Sequence, residues 1–86
     1  MNFENRKPEI NYPCNWDYKV IGEDADKLIE AIEDSVGNLK HRISTSNVSS
    51  GGKYISLNLT VAVPNELARD LIFQRLSEHE DIRWVI

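Results

Sequence analysis

The segment YISLNLTVAV, residues 54–63, restricts the possible folds more than any other stretch of the chain. Ile55, Leu57, Leu59, Val61 and Val63 alternate with Ser56, Asn58, Thr60 and Ala62. A period of two places each set on its own face of a strand. A strand with one apolar and one polar face fits an antiparallel sheet that is covered on one side only. The remaining residues must supply both the cover and the neighbouring strands.

Before this strand, LKHRISTSN alternates weakly, with Leu39 and Ile43 and in part Thr45 turned inward, and VSSGGK reads as a turn. Two strands joined through a Gly-Gly turn form a hairpin. Nearer the N-terminus, Pro13 enforces an extended approach. Trp16, Tyr18 and Val20 then alternate with Asp17 and Lys19 until Gly22 ends the strand. At the other end, Ile82, Trp84 and Ile86 alternate with Arg83 and Val85.

Two stretches change period. In EDADKLIEAIEDSVG, Ala25, Leu28, Ile29, Ile32 and Val36 share one helical face, with Asp24 as N-cap and Gly37 as the stop. After Pro64, Asn65 is placed to cap a second helix whose apolar stripe is Leu67, Ala68, Leu71, Ile72 and Leu76. The order strand, helix, strand, strand, helix, strand is the α+β, ferredoxin-like βαββαβ motif. It predicts a four-stranded antiparallel sheet of order 4-1-3-2 with both helices on one face. Residues 1–11 have no period and read as a flexible tail, so the single domain is expected over 12–86.

With 86 residues, 41% of them hydrophobic, the chain suffices for one domain with one core. The net charge of −4 argues against strong non-specific binding to nucleic acid or anionic membrane. No apolar run approaches the ~18 to 20 residues of a membrane span. The polar start MNFENRKPEI has no apolar core of a secretory signal, and the one cysteine cannot form an intramolecular disulfide. A cytoplasmic location is therefore expected.

Few residues suggest chemistry. Cys14 follows a proline and precedes a strand, with no histidine near it in sequence, so it reads as core filler rather than a nucleophile. One cysteine and two histidines without ligand spacing imply no metal, and no cofactor is implied either. Gly51 and Gly52 lie between strands, whereas a phosphate cradle leads into a helix. The acids of the first helix read as a solvated face.

Parity with Val20 assigns Trp16, Tyr18 and Trp84 to the helix-facing side of the sheet. The uncovered side then carries Lys19, Lys40, Arg42 and Arg83, with Ser56, Asn58 and Thr60 between them and Asp17 as the lone acid. These residues, Lys19, Lys40, Arg42, Ser56, Asn58 and Arg83, are the candidate binding surface. An RNA-recognition sheet needs aromatics at the outward positions of its central strands, and these positions hold Asp17, Lys19, Ser56 and Asn58.

Tyr12-Pro13, Tyr18-Lys19-Val20-Ile21-Gly22, Gly52-Lys53-Tyr54 and Arg83-Trp84-Val85-Ile86, in this order and spacing, resemble the YbeD-like family of small bacterial proteins of unknown function. The resemblance covers roughly residues 10 to 86. It implies a fold similar to the regulatory ACT domains and no catalytic residues. ACT domains bind small molecules near the turn after the first strand, which here is Gly22-Glu23-Asp24, where two acids would disfavour a carboxylate ligand. The expected function is a non-enzymatic regulatory or protein-interaction module acting through its open sheet face or a strand edge. An ACT-like metabolite sensor and a nucleic-acid binder on the basic face are the alternatives. The expected partner is another protein, with a small metabolite as the alternative ligand. Neither nucleic acid nor membrane is favoured, and the expected state is a monomer or weak homodimer.

Overall fold

A computed structural model describes residues 10–48 and 52–86. The elements are β1 (Cys14–Gly22), α1 (Ala25–Val36), β2 (His41–Val48), β3 (Ile55–Val63), α2 (Glu66–Glu78) and β4 (Trp84–Val85). The strands form one antiparallel sheet in the order β2-β3-β1-β4, which is the expected order read from the opposite edge. Most of the expected tail, residues 1–9, and residues 49–51 of the hairpin turn lie outside the described residues.

The alternation of β3 translates directly into burial. Leu57, Leu59, Val61 and Val63 are buried, whereas Asn58 between them is exposed. Opposite Leu59 lies Tyr18, and opposite Leu57 lies Val20, both buried, so β1 and β3 present one continuous apolar face. Leu28, Ala31, Ile32 and Val36 of α1 and Ile72 and Leu76 of α2 complete this core. Each helix begins at the expected cap. The side chain of Asp24 accepts the Lys27 N–H at 3.1 Å, and that of Asn65 accepts the Ala68 N–H at 2.8 Å. Gly37 ends α1 at φ 61°, a conformation that strains any residue with a Cβ.

Three expectations need correction. In α1, Ile29 is 39% exposed, and the buried face runs through Ala31 and Ser35 instead. Ser35 tolerates burial because its hydroxyl donates to the Ala31 carbonyl at 2.8 Å. In α2, Leu67 is 77% exposed and Leu71 41%, and only Ile72 and Leu76 of the expected stripe are buried. The rotation of this helix is set by polar contacts as well. The buried Tyr18 hydroxyl donates to the Arg69 carbonyl at 2.7 Å, and the Arg69 guanidinium lies 4.7 Å over the Trp16 ring. Burial raises the Tyr18 hydroxyl pKa to about 12, so it remains a donor throughout the physiological range.

The third correction concerns β4. Trp84 pairs with Ile21 and Val85 with Val20. Val85 therefore packs against the core, whereas Trp84 and Ile86 are 52% and 74% exposed. Ile82 is buried as expected, but it precedes the strand, in the turn where its N–H donates to the His79 carbonyl. The period of two does not run through Arg83, so parity counted from Ile82 assigns Trp84 and Ile86 to the wrong side.

The start of β2 is tied to α1 by His41. Its Nδ1 lies 2.8 Å from the Leu39 carbonyl and its Nε2 3.0 Å from the Glu33 carboxylate. Both neighbours only accept, so both ring nitrogens must donate, which is the imidazolium form. The Glu33 contact first, then the Leu39 carbonyl, raises the His41 pKa above its ordinary 6.5. A group whose pKa is raised in the folded state adds stability below its unfolded pKa and loses it as pH rises through the folded value. The urea midpoint of the wild type should therefore fall relative to that of His41→Gln as pH is raised from 6.5 through the folded pKa. Parallel midpoints across that range would show that the contact does not form in solution.

Candidate functional site

The face of the sheet opposite the helices is built from the odd positions of β1 and the even positions of β3 and β2. Register assembles them into rows. Arg42, Thr60 and Asp17 form one row, and Ser44, Asn58 and Lys19 the next. The second row extends to Ile86, which exchanges both backbone hydrogen bonds with Lys19, at 3.1 and 2.9 Å. A third row holds Ser56, Ile21 and Trp84. Lys40 flanks the first row, where its carbonyl accepts the Ala62 N–H at 2.9 Å.

Five of the six candidate residues thus share this face: Lys19, Lys40, Arg42, Ser56 and Asn58. Lys19, Lys40, Arg42 and Asn58 are exposed. No ion pair involves any of the three cations among the described residues. The one acid on the face, Asp17, accepts the Thr60 hydroxyl at 2.7 Å. Ser56 is positioned as expected, but its Oγ is enclosed and has no hydrogen-bond partner among the described residues. It is therefore unavailable to a ligand arriving from solvent.

Arg83 does not belong to this group. It lies one residue before β4, beside the turn after β1, and its guanidinium meets Glu23 at 3.1 Å. Together with Asp24, Lys27, Glu80 and Asp81 these residues line a shallow pocket. Four carboxylates against two cations make that pocket unsuited to an anionic ligand, in keeping with the reading of Gly22-Glu23-Asp24 from sequence.

Trp84 takes the place that Arg83 was expected to fill. Its ring meets that of Tyr54 edge-on at a centroid distance of 5.1 Å, and the Lys53 ammonium lies 5.3 Å from the Tyr54 centroid. The open face is therefore basic at one end and aromatic at the other. Sequence alternation missed Trp84 because a two-residue strand takes its parity from its partner. The adjacent Gly52-Lys53-Tyr54 motif was the only local sign of an aromatic surface.

Cys14 is half-buried at the start of β1 and packs against the core. Among the described residues, no three His, Cys, Asp or Glu side chains are grouped so as to hold a metal ion. No helix among them is long and apolar enough to cross a membrane.

Comparison with known proteins agrees with this architecture. Residues 7–86 match a family model described as protein of unknown function DUF493. An uncharacterised protein of Campylobacter jejuni is 42% identical over 71 residues, covering 83% of this chain and 82% of that protein. A protein of Neisseria meningitidis described as UPF0250 is 30% identical, with 96% of each chain covered. The solution structure of a Helicobacter pylori protein superposes with a TM-score of 0.84 at 33% identity, over 100% of this chain and 94% of that one. The ACT domain of the GTP pyrophosphokinase of Chlorobium tepidum superposes with a TM-score of 0.58 at 17% identity, over 84% of this chain and 94% of that domain. This last likeness concerns the fold alone.

Proposed function

Because the chain belongs to the DUF493 family of proteins of unknown function and has an ACT-like fold, we propose that it is a non-enzymatic interaction module of regulatory type. Its open sheet face receives an acidic segment of a partner protein. One observation carries this reading. Lys19, Lys40 and Arg42 stand exposed on one surface without an ion pair among the described residues, and the single acid there is engaged by Thr60. Unpaired charges of one sign on a shared face create a local potential that the net charge conceals.

A synthetic polyglutamate peptide, titrated into isotopically labelled protein, tests this. Amide shifts should concentrate on β1 and β2 and diminish as salt is raised. Lys19→Glu, Lys40→Glu and Arg42→Glu combined should weaken binding by at least about tenfold. The melting temperature should barely move, because exposed charges contribute little to folding. Asp26→Lys with Glu30→Lys on α1 is the matched control and should not weaken binding. If the α1 control weakens binding and the sheet reversal does not, the interacting face is the helical one.

The Tyr54–Trp84 pair supports a second reading, a nucleic-acid surface, since an exposed indole beside a half-buried tyrosine ring and the Lys53 ammonium can stack on unpaired bases. Titration with a single-stranded RNA oligonucleotide separates the two. Tighter binding of RNA than of polyglutamate, lost in Trp84→Ala, would favour the second reading.

A further inference from the structure

β4 covers only part of the β1 edge. Lys19 exchanges both of its backbone hydrogen bonds with Ile86, and the Ile21 carbonyl accepts from Arg83 at 2.8 Å. Backbone groups of an antiparallel strand point alternately to its two sides. The N–H and C=O groups of Asn15 and Asp17 therefore point to the same side as those of Lys19, beyond the end of β4. No strand pairs with them among the described residues. The next position in this series is Pro13, which has no N–H to offer. Among the described residues the free edge is thus a short window, closed by Pro13 at one end and by Ile86 at the other. Beside it lies a groove lined by Trp16, Tyr18, Arg69, Asp70, Phe73 and Ile86. Phe73 is 45% exposed there and Ile86 74%.

We propose that this edge pairs with the same edge of a second copy of the chain, antiparallel about a two-fold axis at Trp16. A two-fold pair needs donors and acceptors placed symmetrically about its centre. Asn15 and Asp17 satisfy this about Trp16, each exchanging an N–H and a C=O with the other residue of the second copy. Charge selects the same centre. It sets the Asp17 carboxylate opposite the Asn15 amide, whereas a pair centred on Asp17 would oppose two carboxylates. On the helix side, Trp16 then faces Trp16 of the second copy, and the exposed rings and aliphatic groups of the groove lose contact with water. The pairing uses main-chain groups at an edge and is independent of the open-face reading above.

Sedimentation equilibrium of the full chain over a range of concentrations is the test. The wild type should show a reversible monomer–dimer equilibrium. Asp17→Pro removes an edge N–H and leaves every main-chain β1–β3 bond in place, losing only the exposed side-chain contact with Thr60; proline is tolerated where its nitrogen faces outward, so the variant should be folded and monomeric. Asn15→Asp sets a second carboxylate against Asp17 and should raise the dissociation constant by roughly three- to tenfold over the two symmetric pairs, and Asn15→Lys should lower it by a similar factor. The Asn15 variants decide the matter even if Asp17→Pro does not fold. A wild type that remains monomeric at every concentration overturns the proposal. So does a dimer that responds to none of these changes.

Discussion

Leu59→Ala is expected to destabilise the protein by about 2 to 5 kcal/mol, the range for truncating a large aliphatic side chain in a close-packed core. Leu59 is fully buried at the centre of β3, opposite Tyr18 on β1 and Ile43 on β2. Both neighbours belong to a sheet whose hydrogen bonds resist collapse into the space left behind, so the upper part of the range is favoured. Asn58→Ala, one residue away on the open face, should change stability by no more than about 0.5 kcal/mol. Urea unfolding of the two variants measures the contrast. Equal costs would mean that both faces of the sheet are covered in solution, and the open-face reading would fall with that result.

Gly22→Ala should cost about 1 to 3 kcal/mol, through overpacking rather than through backbone strain. A Cβ built at Gly22 would lie 2.6 Å from Leu28 Cδ2 and 2.8 Å from the Asp81 carbonyl oxygen. The Leu28 methyl can swing aside only into a core that is already filled. The Asp81 carbonyl is main chain, next to Ile82, whose side chain is buried, so moving it displaces a core residue. The lack of a side chain at residue 22 thus lets the turn after β1, the first turn of α1 and the loop before β4 meet at one point. Unfolding at equilibrium checks this prediction, and a neutral result would show that the loop at Asp81 yields freely.

The parts of the fold that are legible in the sequence are those where a single physical rule acts alone. β3 runs for nine residues across the middle of the sheet, so its parity is unmistakable. Asp24, Asn65 and Gly37 mark helix ends because few other residues satisfy free backbone groups or left-handed geometry. α2 is less legible because Leu67, Leu71 and Phe73 lie outside the core together with polar neighbours. What orients the helix is a carbonyl and a guanidinium of Arg69, which no hydropathy pattern registers. β4 is less legible for a different reason. Its parity follows from Ile21 and Val20 across the strand boundary, a long-range relation. Most of the candidate surface was readable because it derives from β1, β2 and β3. Arg83 and Trp84 exchanged places because they sit at the start of β4, where the period of two is broken.

The contacts of Tyr18 and Arg69 have a mechanical consequence. β1 is one rigid ribbon with two readouts. Its even side chains brace α2 through a ring, a hydroxyl and a cation, and its odd side chains, Asp17 and Lys19, stand on the opposite surface. The strand that seats α2 therefore also sets where Asp17 and Lys19 stand, so a substitution within β1 bears on both surfaces of the sheet.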